Sequence, residues 1–268
     1  TGSLSPIPGF GNMGAATGGY YELTGWADRL PAGPFLAYTD ATSPRLTAAL
    51  LIAALDHRER TGEGMILDFS QAEGGVHFLT EAILDQEVNG FAQTRMGNAD
   101  RWMAPHSVYQ CANEQDDRWV AIACESDEQW TVLANTIGSG DLANLGLEER
   151  QAREAELDDI LQDWCSSKDP VEITKLLQKA GVPAHQVQNS PEVTSDEQLV
   201  HRSHFVEVPH EIYESTWVEQ YGFRLSRSDG TPTRSGPLWG EHNFEILSDF
   251  LGYDGDEIAD LVVAGVLE

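Results

Sequence analysis

Ala37-Tyr38-Thr39-Asp40 leads into Ala41-Thr42-Ser43-Pro44-Arg45-Leu46, and the run closes on His57-Arg58-Glu59-Arg60-Thr61-Gly62-Glu63-Gly64. Ser43 is a favoured helix cap, and Pro44 suits the first helical position, where its missing N–H costs nothing. The spacing therefore predicts a helix that begins at Pro44. Leu46, Ala49, Leu50, Ala53, Ala54 and Leu55 are apolar on nearly every side, which predicts that this helix is buried. Gly62 supplies the permissive backbone of a C-terminal stop. Asp40 stands just ahead of the helix, where a carboxylate can be presented to a ligand from a rigid element. It can also simply favour the positive end of the helix dipole. Ser43 already serves as the cap, so Asp40 is not needed for that.

Working outward, Met65 to Phe69 reads as a strand and Gln71 to about Asn89 as a second helix. Residues 1–40 are rich in Gly and Pro and read as loops. Gly9-Phe10-Gly11-Asn12-Met13-Gly14 fits G-x-G-x-x-G, but Ser5-Pro6-Ile7-Pro8 precedes it rather than a strand. Ala15-Ala16-Thr17-Gly18-Gly19 follows it rather than an amphipathic helix, so a dinucleotide site is discounted. Residues 92–104 are polar and irregular. Trp119 to Ala123 reads as a buried strand, and Ser126 with Gln129 as a capping box for a helix carrying Trp130, Leu133 and Ile137. Helices are predicted from about Glu148 to Cys165 and from Pro170 to Ala180, the second capped by Asp169 and stopped by Gly181. Ala184 to Val187, Phe205 to Val208 and Phe223 to Ser226 read as strands. Ser190-Pro191 starts a short helix, and Glu241 to Leu251 and Asp256 to Val266 read as helices. Strands alternating with helices place the chain in the α/β or α+β class.

The 268 residues, 41% hydrophobic, suffice for one or two domains. No apolar run is long enough to cross a bilayer, and no signal-peptide pattern opens the chain. Thr1-Gly2-Ser3 in place of an initiator Met points to a piece of something longer. With 16 Lys+Arg against 44 Asp+Glu, the formal charge is −28. Such a surface repels nucleic acid and anionic membranes. The acids are spread out, at Asp116-Asp117, Glu125 to Glu128, Glu148-Glu149, Asp158-Asp159 and Asp254 to Glu257. They read either as a solvated face or as adaptation to high salt. Cys111, Cys124 and Cys165 lack metal-ligand spacing and are expected to be buried free thiols in a reducing cytoplasm. His201 and His204 have no evident third ligand. Trp102, Trp119, Trp130 and Trp164 read as core. His57 lies about 25 Å along the helix from Asp40 at ~1.5 Å per residue, so the two are no catalytic pair.

Many short strings, in order, resemble one family, the class III CoA-transferases of the formyl-CoA and carnitine CoA-transferase type. They are Leu23-Thr24-Gly25, Pro31 to Pro34, Asp40, Ala48 to Leu55, Arg58 to Gly64, Asp68 to Gln71, Gly97-Asn98 and Ala104 to Tyr109. Trp119 to Ala123, Gln129-Trp130, Ala180 to Ala184, Gly236 to Leu238 with Gly240-Glu241-His242, and Leu251-Gly252-Tyr253 continue the series. The resemblance runs from about Gly9 to the C-terminus. It implies an α/β fold with a large Rossmann-like domain, a small α+β domain and an intertwined dimer. Residues 1–94 would belong to the large domain, 95–208 to the small one, and 209–268 would return to the large one.

The resemblance also implies a reaction. Asp40 would be the nucleophile that moves CoA from an acyl-CoA donor to a small carboxylic acid, through an aspartyl anhydride and an aspartyl-CoA thioester. CoA is then a substrate, and neither a bound cofactor nor a metal is expected. Tyr38, Arg45, Gly97 and Asn98 are the candidate substrate-binding residues. Met96-Gly97-Asn98-Ala99 lies where the family places a covering loop, an ordinary turn being the other reading. Arg45 would meet a substrate carboxylate or stay solvated. Most CoA contacts in the family come from a segment N-terminal to the part matched here. The chain alone is therefore expected to be inactive, completed by that segment or working as a homodimer. Two alternatives remain. A non-catalytic half of a tandem protein would serve as a dimerisation module. An acyl-CoA racemase would need a His where Phe10 stands.

Overall fold

The computed structural model describes residues 6, 9–112 and 117–267. Thr1-Gly2-Ser3, Ser5, Ile7, Pro8 and Asp116 lie outside the described residues. The chain divides into two compact units, Thr1–Val187 and Gln188–Glu268.

In the first unit, helices come before strands. α1 (Gly11–Gly18) and α2 (Tyr20–Leu23) occupy a stretch that reads as loop, and α3 (Tyr38–Thr61) follows. α4 (Gln71–Val76), a 3-10 turn (His77–Leu79), α5 (Thr80–Leu84) and a wider turn (Asp85–Asn89) together form the expected second helical stretch. The Gly-rich start is helical because its glycines allow close packing. A Cβ at Gly14 would lie 2.9 Å from Thr39 Oγ1, and one at Gly75 would lie 3.0 Å from Thr39 Cγ2.

α3 departs from expectation in two ways. It begins at Tyr38, not Pro44, so Pro44 sits inside it and Ser43 is no cap. Thr39 is fully buried and its hydroxyl donates to Gly11 C=O at 3.0 Å, so tertiary contacts stabilise the extra turns. Ser43 instead donates to the carbonyl of Gln71 at 3.3 Å. Second, the helix is not buried. Leu50, Leu51, Ile52 and Leu55 are exposed, Ile52 by 68%. Nor is Met65 to Phe69 a strand. It forms no regular element and has no ladder partner among the described residues, and Ile66 is 97% exposed. A strand needs a neighbour to pair with, and alternation in sequence cannot provide one.

The apolar core of this unit lies later in the chain. β1 (His106–Gln110), β2 (Trp119–Ala123) and β3 (Ala184–Gln186) form an antiparallel sheet in the order β1-β2-β3, with Val108 opposite Ala121 and Ile122 opposite Ala184. α6 (Asp127–Thr136), α7 (Leu147–Ala152), α8 (Glu154–Cys165) and α9 (Pro170–Lys179) belong to the same region. Leu157, Leu161 and Cys165 recur every fourth residue along α8 and are all buried, as are Ile173 and Leu177 of α9. Full burial of each large apolar side chain contributes ~1.5–3 kcal/mol. The expected caps form, with Ser126 accepting from Gln129 N–H and Asp169 from Val171 and Glu172 N–H, but the Ser126–Gln129 box is not closed, since Gln129 Oε1 accepts from Glu125 N–H at 2.8 Å. Trp130 is buried and donates through Nε1 to Leu142 C=O at 2.8 Å, whereas Trp102, expected in the core, is 68% exposed. The three cysteines are buried and free. Burial pushes the Cys111 thiol up to about 11 and those of Cys124 and Cys165 to about 12, which makes them poor nucleophiles.

The second unit contains α10 (Ser190–Ser195), α11 (Glu197–His201) and a hairpin of β4 (Phe205–His210) and β5 (Glu214–Glu219). α12 (Asn243–Glu245), a turn at Ile246–Phe250 and α13 (Gly255–Val263) complete it. Phe223 to Ser226 is not a strand; β4 pairs with β5 instead, which is nearer in sequence and closes a shorter loop. His204 is at the surface, with Nε2 3.0 Å from Glu219 Oε1. Among the described residues both sheets are antiparallel, and no helix is long and apolar enough to cross a membrane.

Candidate active site

Asp40 lies in the first turn of α3, where α1 and the start of α4 come together. Its side chain is exposed, and the positive end of the helix dipole favours its negative charge. The floor beneath it is made by Thr39, 0% exposed, which points the other way into the packing of α1 and α4. Two neighbours on a helix point about 100° apart, so one anchors and the other is presented.

The two carboxylate oxygens meet different surroundings. Gln71, first residue of α4, donates from Nε2 to Asp40 Oδ1 and also to Thr39 Oγ1 at 3.0 Å. Oδ2 faces Gly11. A Cβ built there would lie 2.6 Å from Oδ2 and 2.4 Å from the Ala37 Cβ. Gly11 and Gly14 of the G-x-G-x-x-G run therefore serve close approach of α1 to α3, consistent with discounting a dinucleotide site. Gly11→Ala is expected to push the carboxylate aside and lower transfer by the active protein about 100-fold, since ~1 Å of misplacement costs that much. Gly9→Ala, with open space around its Cβ position, should leave the rate near wild type. Steady-state rates of the two variants check this.

The other candidates are distributed as follows. Tyr38 packs its ring against Tyr20 at 5.2 Å and Phe78 at 6.4 Å between centroids. Arg45 is exposed and donates to the Ala41 carbonyl of its own helix. Gly97 has φ +65° and donates to Gly25 C=O at 2.9 Å. Its face is against Trp26, whose ring would be 2.2 Å from an added Cβ. Asn98 C=O is 2.6 Å from His106 Nδ1, and Asn98 lines a cavity of about 460 Å³ with Val108, Ile122 and His185. The hydrogen bonds of Asp40's side chain run to Gln71, not to Arg45, Gly97 or Asn98. His57 stands near the far end of α3, remote from Asp40 as its spacing predicts. Among the described residues no three His, Cys, Asp or Glu are grouped to hold a metal ion.

Gln71, Thr39 and Gly11 were not singled out by sequence reasoning. Gln71 is 31 positions from Asp40, and only the fold joins them. The sequence signals were the glycine spacing at Gly11 and Gly14, which marks a close helix contact, and the place of Gln71 in the family-like string Asp68 to Gln71.

The model of CoA-transferase family III matches residues 1–243. A succinyl-CoA–D-citramalate CoA-transferase of Chloroflexus aurantiacus is 30% identical over 271 residues, covering 100% of this chain and 67% of the relative. A succinyl-CoA:mesaconate CoA-transferase of Haloarcula hispanica is 28% identical, covering 90% of this chain and 61% of the relative. A solved CAIB/BAIF family protein from Brucella suis superposes with a TM-score of 0.82 at 25% identity, over 93% of this chain and 65% of that one. The chain thus spans about two thirds of the length of these proteins. With a carboxylate presented on a buried support and the family model matched over nearly the whole length, the chain belongs to CoA-transferase family III.

Proposed function

We propose that this chain carries the nucleophile of a CoA-transferase, and that the nucleophile is Asp40. The observation that carries the reading is an exposed carboxylate held at one oxygen by Gln71, on a helix turn locked by buried Thr39. An Asp oxygen attacks the thioester carbonyl of the donor, a C–O bond forms, the C–S bond breaks and CoA leaves as thiolate. The thiolate sulfur then attacks Asp40 Cγ, and the donor acid leaves as carboxylate. The acceptor carboxylate attacks the aspartyl-CoA thioester in turn, thiolate leaves, and its return to the acceptor carbonyl frees Asp40. Covalent catalysis of this kind divides one difficult exchange into easier steps. The names of the matched relatives support succinyl-CoA as donor and a small carboxylic acid as acceptor. Arg45, about one turn along α3, is the cation available to the acceptor's carboxylate, and Tyr38, Gly97 and Asn98 are its candidate neighbours.

The exposed apolar residues of α3 and the unpaired stretch at 65–69 support a larger assembly. In it residues 1–94 and 209–268 belong to a Rossmann-like large domain and 95–208 to the small domain. A further transferase segment or a second copy of the chain covers α3. The test is chemical trapping. The active protein is incubated with succinyl-CoA and quenched with hydroxylamine, and its peptides are mapped by mass spectrometry. A hydroxamate on Asp40 is expected. Turnover with the adduct on another residue, or on none, would overturn the assignment.

A further inference from the structure

We infer that Gln71 positions the Asp40 carboxylate and supplies the hydrogen bond that stabilises the negative charge formed on Oδ1 during transfer. This rests on the reading of Asp40 as nucleophile. It adds a role for a residue that the motif order leaves unassigned.

The orientation of the Gln71 amide follows from its partners. Thr39 O–H is spent on Gly11 C=O at 3.0 Å, so Thr39 Oγ1 can only accept from Gln71. An ionised carboxylate can also only accept. Both neighbours therefore require the NH₂ end, and each takes one of its two hydrogens. The other end of the residue is held too, because Ser43 Oγ donates to Gln71 C=O at 3.3 Å and Ser70 caps α4 by accepting from Glu73 N–H. A donor fixed at two points, on a network rooted in a buried Thr, is organised before substrate arrives.

The geometry distinguishes the two oxygens. Oδ1 is bound to Gln71, and Oδ2 lies beside Gly11, where a Cβ would come within 2.6 Å of it. Oδ2 is the oxygen that attacks the thioester, and Oδ1 is retained on Cγ. When thiolate sulfur adds to Cγ of the anhydride, an S–C bond forms and the electron pair of the C=O moves onto Oδ1. Collapse breaks the bond from Cγ to the bridging oxygen, and the donor acid leaves as carboxylate. No proton moves. The acceptor carboxylate adds to the aspartyl thioester in the same way, with charge on Oδ1 again, and thiolate leaves. One donor at Oδ1 thus acts in both half-reactions. An amide does so without neutralising Asp40, as a Lys or Arg there would.

The test measures kcat and KM for succinyl-CoA and a carboxylate acceptor in the active protein from pH 5 to 8, together with thermal melting. Gln71→Ala is expected to lower kcat about 100- to 1,000-fold, as loss of one oxyanion donor does, with KM little changed. Gln71→Glu keeps the shape but donates only when protonated. It should match Gln71→Ala at pH 8 and regain activity as the pH falls, because two adjacent carboxyls hold a shared proton more tightly. Thr39→Ser, which keeps the hydroxyl, should retain most activity. A kcat for Gln71→Ala within about threefold of wild type overturns the inference. So does a Gln71→Glu profile parallel to wild type, or a loss uniform in pH that tracks a lowered melting temperature, the mark of a tie between helices. If Asp40→Ala is inactive while Gln71→Ala is active, this inference alone fails. If Asp40→Ala is active, the nucleophile reading fails with it.

Discussion

Asp40→Ala takes CoA transfer by the active protein down about 10⁴-fold or more and leaves the chain folded. The first part follows from covalent catalysis, since without the attacking oxygen neither the anhydride nor the aspartyl thioester forms. The second part follows from the place of Asp40. The cap position of α3 is Ala37, which contributes no side-chain bond, and Asp40 is exposed in the first turn. Its removal costs the helix-dipole interaction, ~0.3–1 kcal/mol. Gln71 loses one acceptor, yet it is only partly buried and its amide can turn to water. Asp40→Asn should fall as far, because an amide of the same shape is no nucleophile. Initial rates by chromatography of the acyl-CoA pool, beside circular-dichroism melts, check both halves. An Asp40→Ala rate within tenfold of wild type would remove Asp40 from the chemistry.

Arg150→Ala destabilises the first unit by about 3–5 kcal/mol, the sum of two orphaned carbonyls and lost packing. Arg150 is 0% exposed, donates through Nε to Ala104 C=O at 2.6 Å and through Nη1 to Leu145 C=O at 2.8 Å. It also pairs with Asp127 at 2.6 Å, but Asp127 is 66% exposed and that pair contributes little. The cost comes from the carbonyls, one of them on buried Ala104. For a body of this size the melting temperature should drop by roughly 10 °C. Arg153→Ala is the contrast. Its bond to Glu156 is a surface pair, screened by solvent, and contributes little. Equal effects of the two variants would show that burial is not what makes Arg150 matter.

The sequence by itself determined whatever is set within a few residues. Ser126 and Asp169 cap helices because their side chains reach N–H groups two or three positions on. Gly181 ends α9 because its φ of +85° suits a residue without Cβ. Trp119 to Ala123 is a strand, and three cysteines without ligand spacing are buried thiols. The order of short strings was enough to point at Asp40 and to the family that its model then matched.

Only the tertiary structure decided the rest, because it depends on residues far apart in the chain. Ser43-Pro44 carries a sound local start signal, but packing of Thr39 against Gly11, Gly14 and Gly75 extends α3 back to Tyr38. Met65 to Phe69 has strand composition and no partner among the described residues. Phe223 to Ser226 reads as a strand and does not form one, while Glu214–Glu219, unmarked by pattern, pairs with β4. The site itself is the clearest case. Asp40 is legible as a carboxylate near a helix start, but its support is not. Gly11 lies 29 positions before it and Gln71 lies 31 after it. No local periodicity links residues at such distances. They meet because two glycine-bearing helices, α1 and α4, pack closely against α3, leaving one carboxylate oxygen bound to Gln71 and the other beside Gly11.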